Sequence, residues 1–229
     1  MKKLHVLLGI GLILMGMVSC NTKSSPDYTT TVDVFSHTTV YNNDTVHGII
    51  YSVITLAPVA SVEVQTPDGQ TVPLESYGGS SYSYYKDTPD SEMTASLPVA
   101  GTYTFTVNFS DGMSTTDVNT LSNDFLYPPH IITAEYQTDT RGVYLKWDKV
   151  TDADGYQVKV FNGDTQVYNI PPFAGSTGQD TFDLTIPVSE IQNYVPGTLK
   201  FEVIALKFET SAYTSIQTIS NTNRNITIN

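Results

Sequence analysis

Apolar and polar residues alternate along much of the chain with a period of two, which is the pattern of a strand buried on one face. The clearest example is residues 102–109, where Tyr103, Phe105, Val107 and Phe109 are separated by Thr or Asn. Further strands are predicted in this half over residues 31–40, 46–56, 61–66, 70–74 and 114–118. Turns are predicted at Pro67-Asp68-Gly69 and Asp111-Gly112.

The second half of the chain repeats this pattern. Val143, Leu145 and Trp147 alternate with polar residues, and Asn162-Gly163 is a strong signal for a β-hairpin turn. Strands are predicted over residues 143–147, 156–160, 165–170, 182–186 and 199–205. No long stretch has apolar residues at helical spacing, so the sequence predicts an all-β protein.

Two stretches resemble known β-sandwich families. Residues 100–107, Ala-Gly-Thr-Tyr-Thr-Phe-Thr-Val, resemble a late strand of bacterial immunoglobulin-like domains. The second half is similar to a fibronectin type III domain in its Leu-x-Trp at 145–147, its Gly-Tyr-x-Val at 155–158 and its Pro-Gly-Thr strand from 196. It departs from that family at Leu199, where a tyrosine usually stands, so the tyrosine-corner hydrogen bond is not expected.

These resemblances imply two tandem β-sandwich domains. An immunoglobulin-like domain is expected over residues 30–126, and a fibronectin type III-like domain over residues 127–229. Pro128 and Pro129 lie at the start of the second domain. Because tandem prolines favour a semi-rigid, extended connection, the two domains are expected to keep a preferred orientation.

The first twenty residues have the layout of an export signal. Lys2 and Lys3 precede an apolar run over residues 6–17, and small Ser19 precedes Cys20, the only cysteine in the chain. This end resembles the lipobox of bacterial, Bacteroidota-like, lipoproteins. The resemblance implies cleavage before Cys20, acylation of Cys20, and a mature protein anchored by lipid to the outer membrane. The alternative is an ordinary signal peptide with an incidental thiol.

Residues 20–29 are predicted to be a polar tether between the lipid and the first domain. Lys23 and Asp27 within it loosely resemble the signal that sends Bacteroidota lipoproteins to the cell surface. The sequence therefore does not decide whether the protein lies on the cell surface or on the periplasmic face of the outer membrane. The formal net charge of the chain is −12, and it becomes −14 when Lys2 and Lys3 are removed with the signal. Such an acidic body argues against nucleic acid as a partner and against lying flat on anionic lipid.

The sequence offers no convincing catalytic or metal-binding pattern. His37, His47 and His130 lie in different segments, and no Gly-x-Ser-x-Gly motif is present. Residues 83–86 fit Ser-x-x-Lys by chance, because that motif needs a helical turn. Residues 152–155, Asp-Ala-Asp-Gly, fit an inter-strand turn better than a calcium loop. We therefore expect no catalytic residues, metal or cofactor, and a protein that is not an enzyme.

One loop has the composition of a binding surface. Tyr77, Tyr82, Tyr84 and Tyr85 lie among Gly and Ser residues, a mixture that also serves antibody paratopes. The alternative is that Tyr82 and Tyr84 cover one sheet face and Tyr85 the other. Phe173, in a predicted loop over residues 171–178, is a second candidate, with a plain connection as its alternative.

These features favour one function over two alternatives. The leading hypothesis is a non-enzymatic, lipid-anchored envelope protein that binds a glycan or a protein through sandwich loops. The first alternative is a structural spacer or an assembly subunit of an envelope complex. A hydrolase is the least favoured, because the sequence contains no convincing catalytic motif.

Overall fold

The computed structural model describes residues 26–175, 178–210 and 215–229. Within these ranges the regular structure consists of fourteen β-strands and three short 3-10 turns. The all-β prediction is therefore confirmed. No helix in the described ranges has the length and apolar character needed to cross a membrane. The export signal and Cys20 lie outside the described residues.

The first half forms a β-sandwich of seven strands. They are β1 (Thr30–Tyr41), β2 (Asp44–Thr55), β3 (Val59–Gln65), β4 (Thr71–Ser76), β5 (Ser83–Asp87), β6 (Gly101–Phe109) and β7 (Ser114–Leu121). Strands β1, β2 and β5 are hydrogen-bonded neighbours, as are β3, β6 and β7, and β4 links the two groups through β5 and β3. The predicted stripe on β6 is confirmed, since Tyr103, Phe105 and Val107 are buried in the core of this sandwich.

The second half forms a second sandwich. Its strands are β8 (Ile131–Gln137), β9 (Gly142–Asp148), β10 (Gly155–Asn162), β11 (Thr165–Ala174), β12 (Thr181–Pro187), β13 (Gly197–Phe208) and β14 (Ile216–Ile228). The 3-10 turns are Tyr77–Gly79, Val188–Glu190 and Gln192–Tyr194. A three-stranded sheet of β12, β9 and β8 packs on β10, β13 and β14 around Trp147, which is fully buried.

The two sandwiches are joined by a strand pair that the sequence analysis did not anticipate. Strand β1 pairs with β14 in parallel, with Ser36, His37 and Thr38 opposite Thr218, Ile219 and Ser220. Because β1 belongs to the first sandwich and β14 to the second, eleven strands of the described chain form one continuous sheet. A separate group of buried apolar residues lies at this junction: Phe35, Ile50, Ile204, Leu206, Ile216 and Ile219.

Some element boundaries differ from the sequence predictions. Strand β7 continues to Leu121, whereas the pattern predicted its end at Val118. Strand β11 continues through Pro171 and Pro172 to Ala174, so the first half of the predicted loop over residues 171–178 is strand. Prolines are tolerated there because β11 is an edge strand, where a missing backbone N–H can face solvent. Residues 176–177 of that loop lie outside the described ranges.

Candidate functional site

The four tyrosines of the predicted tyrosine loop differ in their burial and in their contacts. Tyr77 begins the 3-10 turn that Gly78 and Gly79 complete, and the positive φ values of these two residues, 59° and 79°, favour glycine. Tyr82 is 46% exposed. Tyr84 instead lies in the core of the first sandwich, where its hydroxyl donates a 2.9 Å hydrogen bond to the carbonyl oxygen of Val59.

The two remaining predicted aromatic residues are also not part of one surface. Tyr85 points to the opposite face of β5 from Tyr84, and its ring centroid is 5.9 Å from that of Tyr77. Phe173 packs against Trp147 of the second sandwich, with ring centroids 6.4 Å apart. Of the predicted ligand-binding residues, only Tyr82 is therefore largely exposed, while Tyr77, Tyr85 and Phe173 are half-buried. Their role in ligand binding stays a prediction.

A second aromatic surface lies where the chain passes from one sandwich to the other. The rings of Phe125 and Tyr127 meet edge to face with centroids 5.0 Å apart. The ring of Phe125 meets that of His47 in the same way, with centroids 5.4 Å apart. We call His47, Phe125 and Tyr127 the aromatic ladder. Tyr127 is 67% exposed, the highest value among the large hydrophobic residues of the described chain.

The connecting segment that carries the ladder is held on both sandwiches. The side chain of Ser36, on β1, donates a 3.3 Å hydrogen bond to the carbonyl oxygen of Asp124. Ser220, on β14, donates a 2.8 Å bond from its hydroxyl to the carbonyl oxygen of Tyr127. Lys207 forms a 2.9 Å ion pair with the carboxylate of Asp124 and lowers the pKa of that group. The ladder is therefore presented on a fixed backbone.

Polar groups lie beside the aromatic rings. The hydroxyl of Thr38 is 3.0 Å from Nδ1 of His47, which orients the imidazole. Partial burial lowers the pKa of His47, so its ring is neutral at pH 7. The Asp124 carboxylate stays ionised and half-exposed next to Phe125 in the chain. An exposed ring flanked by hydrogen-bonding groups is suited to binding a ligand that has both an apolar face and hydroxyl groups.

A buried polar cluster occupies the sheet face behind the ladder. We call His37, Asp87, Lys159, Glu202 and Asn221 the junction cluster. The Nε2 atom of His37 is 2.9 Å from the amide oxygen of Asn221, and the Asn221 amide nitrogen donates to Glu202. On its other side, Nδ1 of His37 lies 3.6 Å from an oxygen of Asp87. Lys159 and Glu202 stand opposite each other in the pairing of β10 with β13.

Burial and charge act in opposite directions on this cluster. Burial lowers the pKa of His37, but Asp87, Asn221 and Glu202 together outweigh it, and the net pKa is raised. Burial lowers the pKa of Lys159 to about 8, with Glu202 opposing the change. Lys159 and Glu202 are at most 1% exposed, so a solute cannot reach them. The junction cluster can fix how the two halves pair, but it is not accessible for catalysis.

The other motifs considered from the sequence form no reactive site. Ser83 and Lys86 lie on strand β5 three residues apart, so their side chains point to opposite faces. Asp152 has a positive φ of 65°, and the Asp154 carboxylate accepts a 2.9 Å hydrogen bond from the backbone N–H of Phe208. These residues therefore form a turn, as expected. Within the described ranges, no group of three His, Cys, Asp or Glu side chains is arranged to hold a metal ion.

One feature of the sequence points to the ladder. Phe125 and Tyr127 flank Leu126, which is buried, just before the tandem prolines at the predicted domain boundary. Two aromatic residues in a connecting segment are a sign of surface function, because connections run over the protein surface and often carry binding residues. The contact with His47 comes from a distant strand and has no sequence signal.

Comparisons with known proteins give only distant likenesses. No family model and no curated protein matches the chain. A Bacteroides uniformis protein described as carbohydrate-binding has 11% identity and a TM-score of 0.33, over 89% of this chain and 100% of that one. The tetra-tandem repeat in the extending region of a large adhesion protein has 17% identity and a TM-score of 0.31, over 87% of this chain and 50% of that one. The FN1–FN3 domains of chicken CNTN1 have 11% identity and a TM-score of 0.29, over 90% and 69%. Similarities this distant carry no argument about function.

Proposed function

We propose that this protein is a non-enzymatic, lipid-anchored protein of the bacterial cell envelope, and that it binds a glycan through the aromatic ladder. The observation that carries the binding role is the exposed Tyr127 ring, which packs on Phe125 over a backbone tied to both sandwiches. An exposed aromatic ring on a fixed backbone loses little entropy on binding. A sugar ring offers the apolar face and the hydroxyl groups that suit Tyr127 and Asp124.

The anchoring part of the proposal comes from the sequence. The apolar run over residues 6–17 and the lipobox-like end at Cys20 support attachment by lipid, with the body on either face of the outer membrane. Mass spectrometry of the mature N-terminus in cells tests it. Acyl chains on Cys20 are the expected result, and a free Cys20 thiol would contradict the anchor.

Equilibrium binding to an array of glycans tests the binding role. The variant Tyr127→Ala is expected to weaken the strongest interaction about tenfold or more, which is typical of an aromatic residue at the centre of an interface. Because Tyr127 is exposed, this change should alter the free energy of unfolding by no more than about 0.5 kcal/mol. Tyr41→Ala is the matched control, since it removes an exposed tyrosine that lies outside both the ladder and the predicted tyrosine loop.

Two outcomes of this experiment would contradict the binding role. One is the absence of any glycan bound by the unmodified protein. The other is equal binding by the Tyr127→Ala and unmodified proteins. Binding of an envelope protein at the same ladder would instead support the protein-partner form of the original hypothesis and overturn the glycan form.

A structural spacer is the second candidate, and one observation favours it. The pairing of β1 with β14 makes one sheet from two sandwiches, which suits a rigid arm that holds a partner at a fixed distance. If the protein is a spacer, replacing Tyr127 should leave its function in cells unchanged. If it binds a glycan through the ladder, the same replacement should abolish that function.

A further inference from the structure

Loops of the first sandwich meet the start of the described chain at one end of that sandwich. Backbone hydrogen bonds connect them: Leu56 N–H to Thr29 O at 3.2 Å, Val59 N–H to Ser81 O at 2.8 Å, and Ser110 N–H to Pro58 O at 2.9 Å. The loops that follow β2 and precede β5 and β7 therefore form a single end surface, beside the segment that leads into β1. In the sequence, that segment follows the predicted anchor at Cys20.

This end of the sandwich exposes large apolar side chains. Leu56 is 56% exposed, Met113 is 53% exposed and Tyr82 is 46% exposed. We call these three residues the apolar pole. They come from three different loops that converge at this end, and Thr55 N–H donates to the carbonyl oxygen of Tyr82. Single exposed apolar residues are ordinary, but a group of them at one end is typical of a contact surface.

The chain is fixed at this pole from Tyr28 onward. The ring of Tyr28 packs on that of Phe109 with centroids 4.8 Å apart, and its hydroxyl donates to the carboxylate of Asp111. Eight residue steps separate Cys20 from Tyr28. A segment of this length spans about 28 Å at full extension. A lipid on Cys20 would therefore keep the apolar pole within about 30 Å of the bilayer.

We infer that the apolar pole contacts the lipid bilayer, with Leu56, Tyr82 and Met113 entering the interface between headgroups and acyl chains. This inference rests on the proposed lipid anchor. Tyrosine is enriched at that depth because its ring is apolar and its hydroxyl is polar, and leucine and methionine partition into the acyl region. Contact at one end is compatible with the acidic body, since the remaining surface stays away from the membrane.

The charges near the pole indicate the kind of lipid. Hydrogen bonds lower the pKa of Asp27 and of Asp111, so both carboxylates are ionised at neutral pH. Anionic headgroups would repel them. A zwitterionic surface is therefore the expected partner, and contact should weaken when anionic lipid is added at low ionic strength.

The single cysteine allows a test that does not depend on acylation in the cell. The mature chain, residues 20–229, is coupled through the Cys20 thiol to a maleimide lipid in phosphatidylcholine vesicles. Tryptophan is introduced by Tyr82→Trp, or by Tyr127→Trp as the matched control away from the pole. Vesicles with and without brominated acyl chains are then compared by tryptophan fluorescence. Trp147 is fully buried in the second sandwich and gives a constant background.

Bromine is expected to quench the emission of the Tyr82→Trp protein at least twofold more than that of the Tyr127→Trp protein. Adding Leu56→Asp and Met113→Asp should remove that difference, while both changes leave the fold intact because the positions are exposed. Equal quenching at the two positions, or none at either, would overturn the inference. A concentration-dependent blue shift of the Tyr82→Trp emission without lipid would assign the pole to a second copy of the chain and also overturn it. Failure of the lipid anchor in cells would leave these results unchanged, so the two failures are distinguishable.

Discussion

Strand β13 is buried on both faces, and the two faces differ in chemistry. Phe201, Val203 and Ala205 face the core of the second sandwich. Glu202 and Ile204 alternate with these residues along the strand and face the junction, where Glu202 contacts Asn221. The face that carries Phe201 would be buried even in an isolated sandwich. The face that carries Glu202 and Ile204 is buried because the two sandwiches share a sheet.

The comparison shows that the two kinds of burial depend on different interactions. A sandwich core is stabilised by apolar area and close packing, which tolerate small changes of shape. At the junction, Lys159 and Glu202 have lost water, and each needs partners of opposite charge or suitable hydrogen bonds. Lys159 Nζ and one Glu202 oxygen have no hydrogen-bond partner among the described residues. The stability of the junction therefore depends on each of its buried polar side chains and should fall when one of them is removed.

The largest effect is expected from breaking the junction cluster on one side. Glu202→Ala should cost about 3–5 kcal/mol in the free energy of unfolding, because it leaves the buried amide of Asn221 without its acceptor and removes the nearby negative charge that favours the protonated form of buried Lys159. Urea unfolding measures this cost. The control is the double variant Lys159→Met with Glu202→Leu, which is expected to be as stable as the original or more so. A loss below about 1 kcal/mol in the single variant would contradict the importance of the charge.

The stability of the junction is also expected to fall as pH rises from 4 to 8. Burial raises the pKa of Asp33, on β1, to about 7, so the folded protein holds a proton between pH 4 and 7 that the unfolded chain releases. The raised pKa of His37 acts in the same sense, with its contribution complete below pH 6.5 and lost above that value. Lys159 has the opposite effect, but only above pH 8.

Urea unfolding at pH 5 and pH 8 should show a fall of roughly 2–4 kcal/mol over this range, at about 1.4 kcal/mol for each unit of pKa. Asp33→Asn should remove most of the change between pH 4 and 7. A flat or rising stability over the same range would show that Asp33 is not buried at the junction.

Gly48→Ala should have a smaller effect, because it disturbs the packing of the segment after β5 on β2. Gly48 lies opposite His37 in the pairing of β1 with β2. A Cβ there would lie 2.8 Å from the Cβ of Thr88 and 3.0 Å from the side chain of Met93. Overpacking of this kind costs about 1–3 kcal/mol. Ser52→Ala, on the same face of β2, is the control and should change stability by less than about 0.5 kcal/mol.

Lys207→Ala is expected to have the smallest effect. It removes the ion pair with Asp124, which is partly exposed, so the cost should be below about 1 kcal/mol and should shrink in 0.5 M salt. Thermal unfolding at low and high salt measures it. A cost above about 2 kcal/mol would mean that the connecting segment stabilises the two sandwiches more than surface electrostatics allows.

The sequence predicts the sandwiches well because strands and turns are encoded by residues that are close together in the chain. Alternation on β6 and on β9 gave the faces that are buried, and Gly69 and Gly163 gave turns that have positive φ, 84° and 58°. The junction had no such signal. A buried Lys159 or Glu202 looks like an exposed residue on the polar face of a strand, and its burial depends on β1 meeting a strand about 180 residues away.

The candidate sites were predictable only in part for the same reason. The Gly- and Ser-rich composition made Tyr82 and Tyr84 equal candidates for ligand binding, but in the structure Tyr82 is exposed and Tyr84, on β5, is buried. The ladder needs His47 of β2 beside Phe125 of the connection, and only the folded chain brings them together. The proposed membrane role of the apolar pole depends on loop ends that are far apart in sequence.

The central structural claim is that the two sandwiches form one rigid body through the pairing of β1 with β14. Electron spin resonance between two nitroxide labels tests it most directly, with the labels at Thr102→Cys and Asp183→Cys in a chain that carries Cys20→Ser. Both positions are exposed and lie on different sandwiches. A single narrow distance distribution that broadens with Glu202→Ala is the expected result. A broad distribution in the otherwise unmodified chain would show that the sandwiches move independently and that the shared sheet does not hold them.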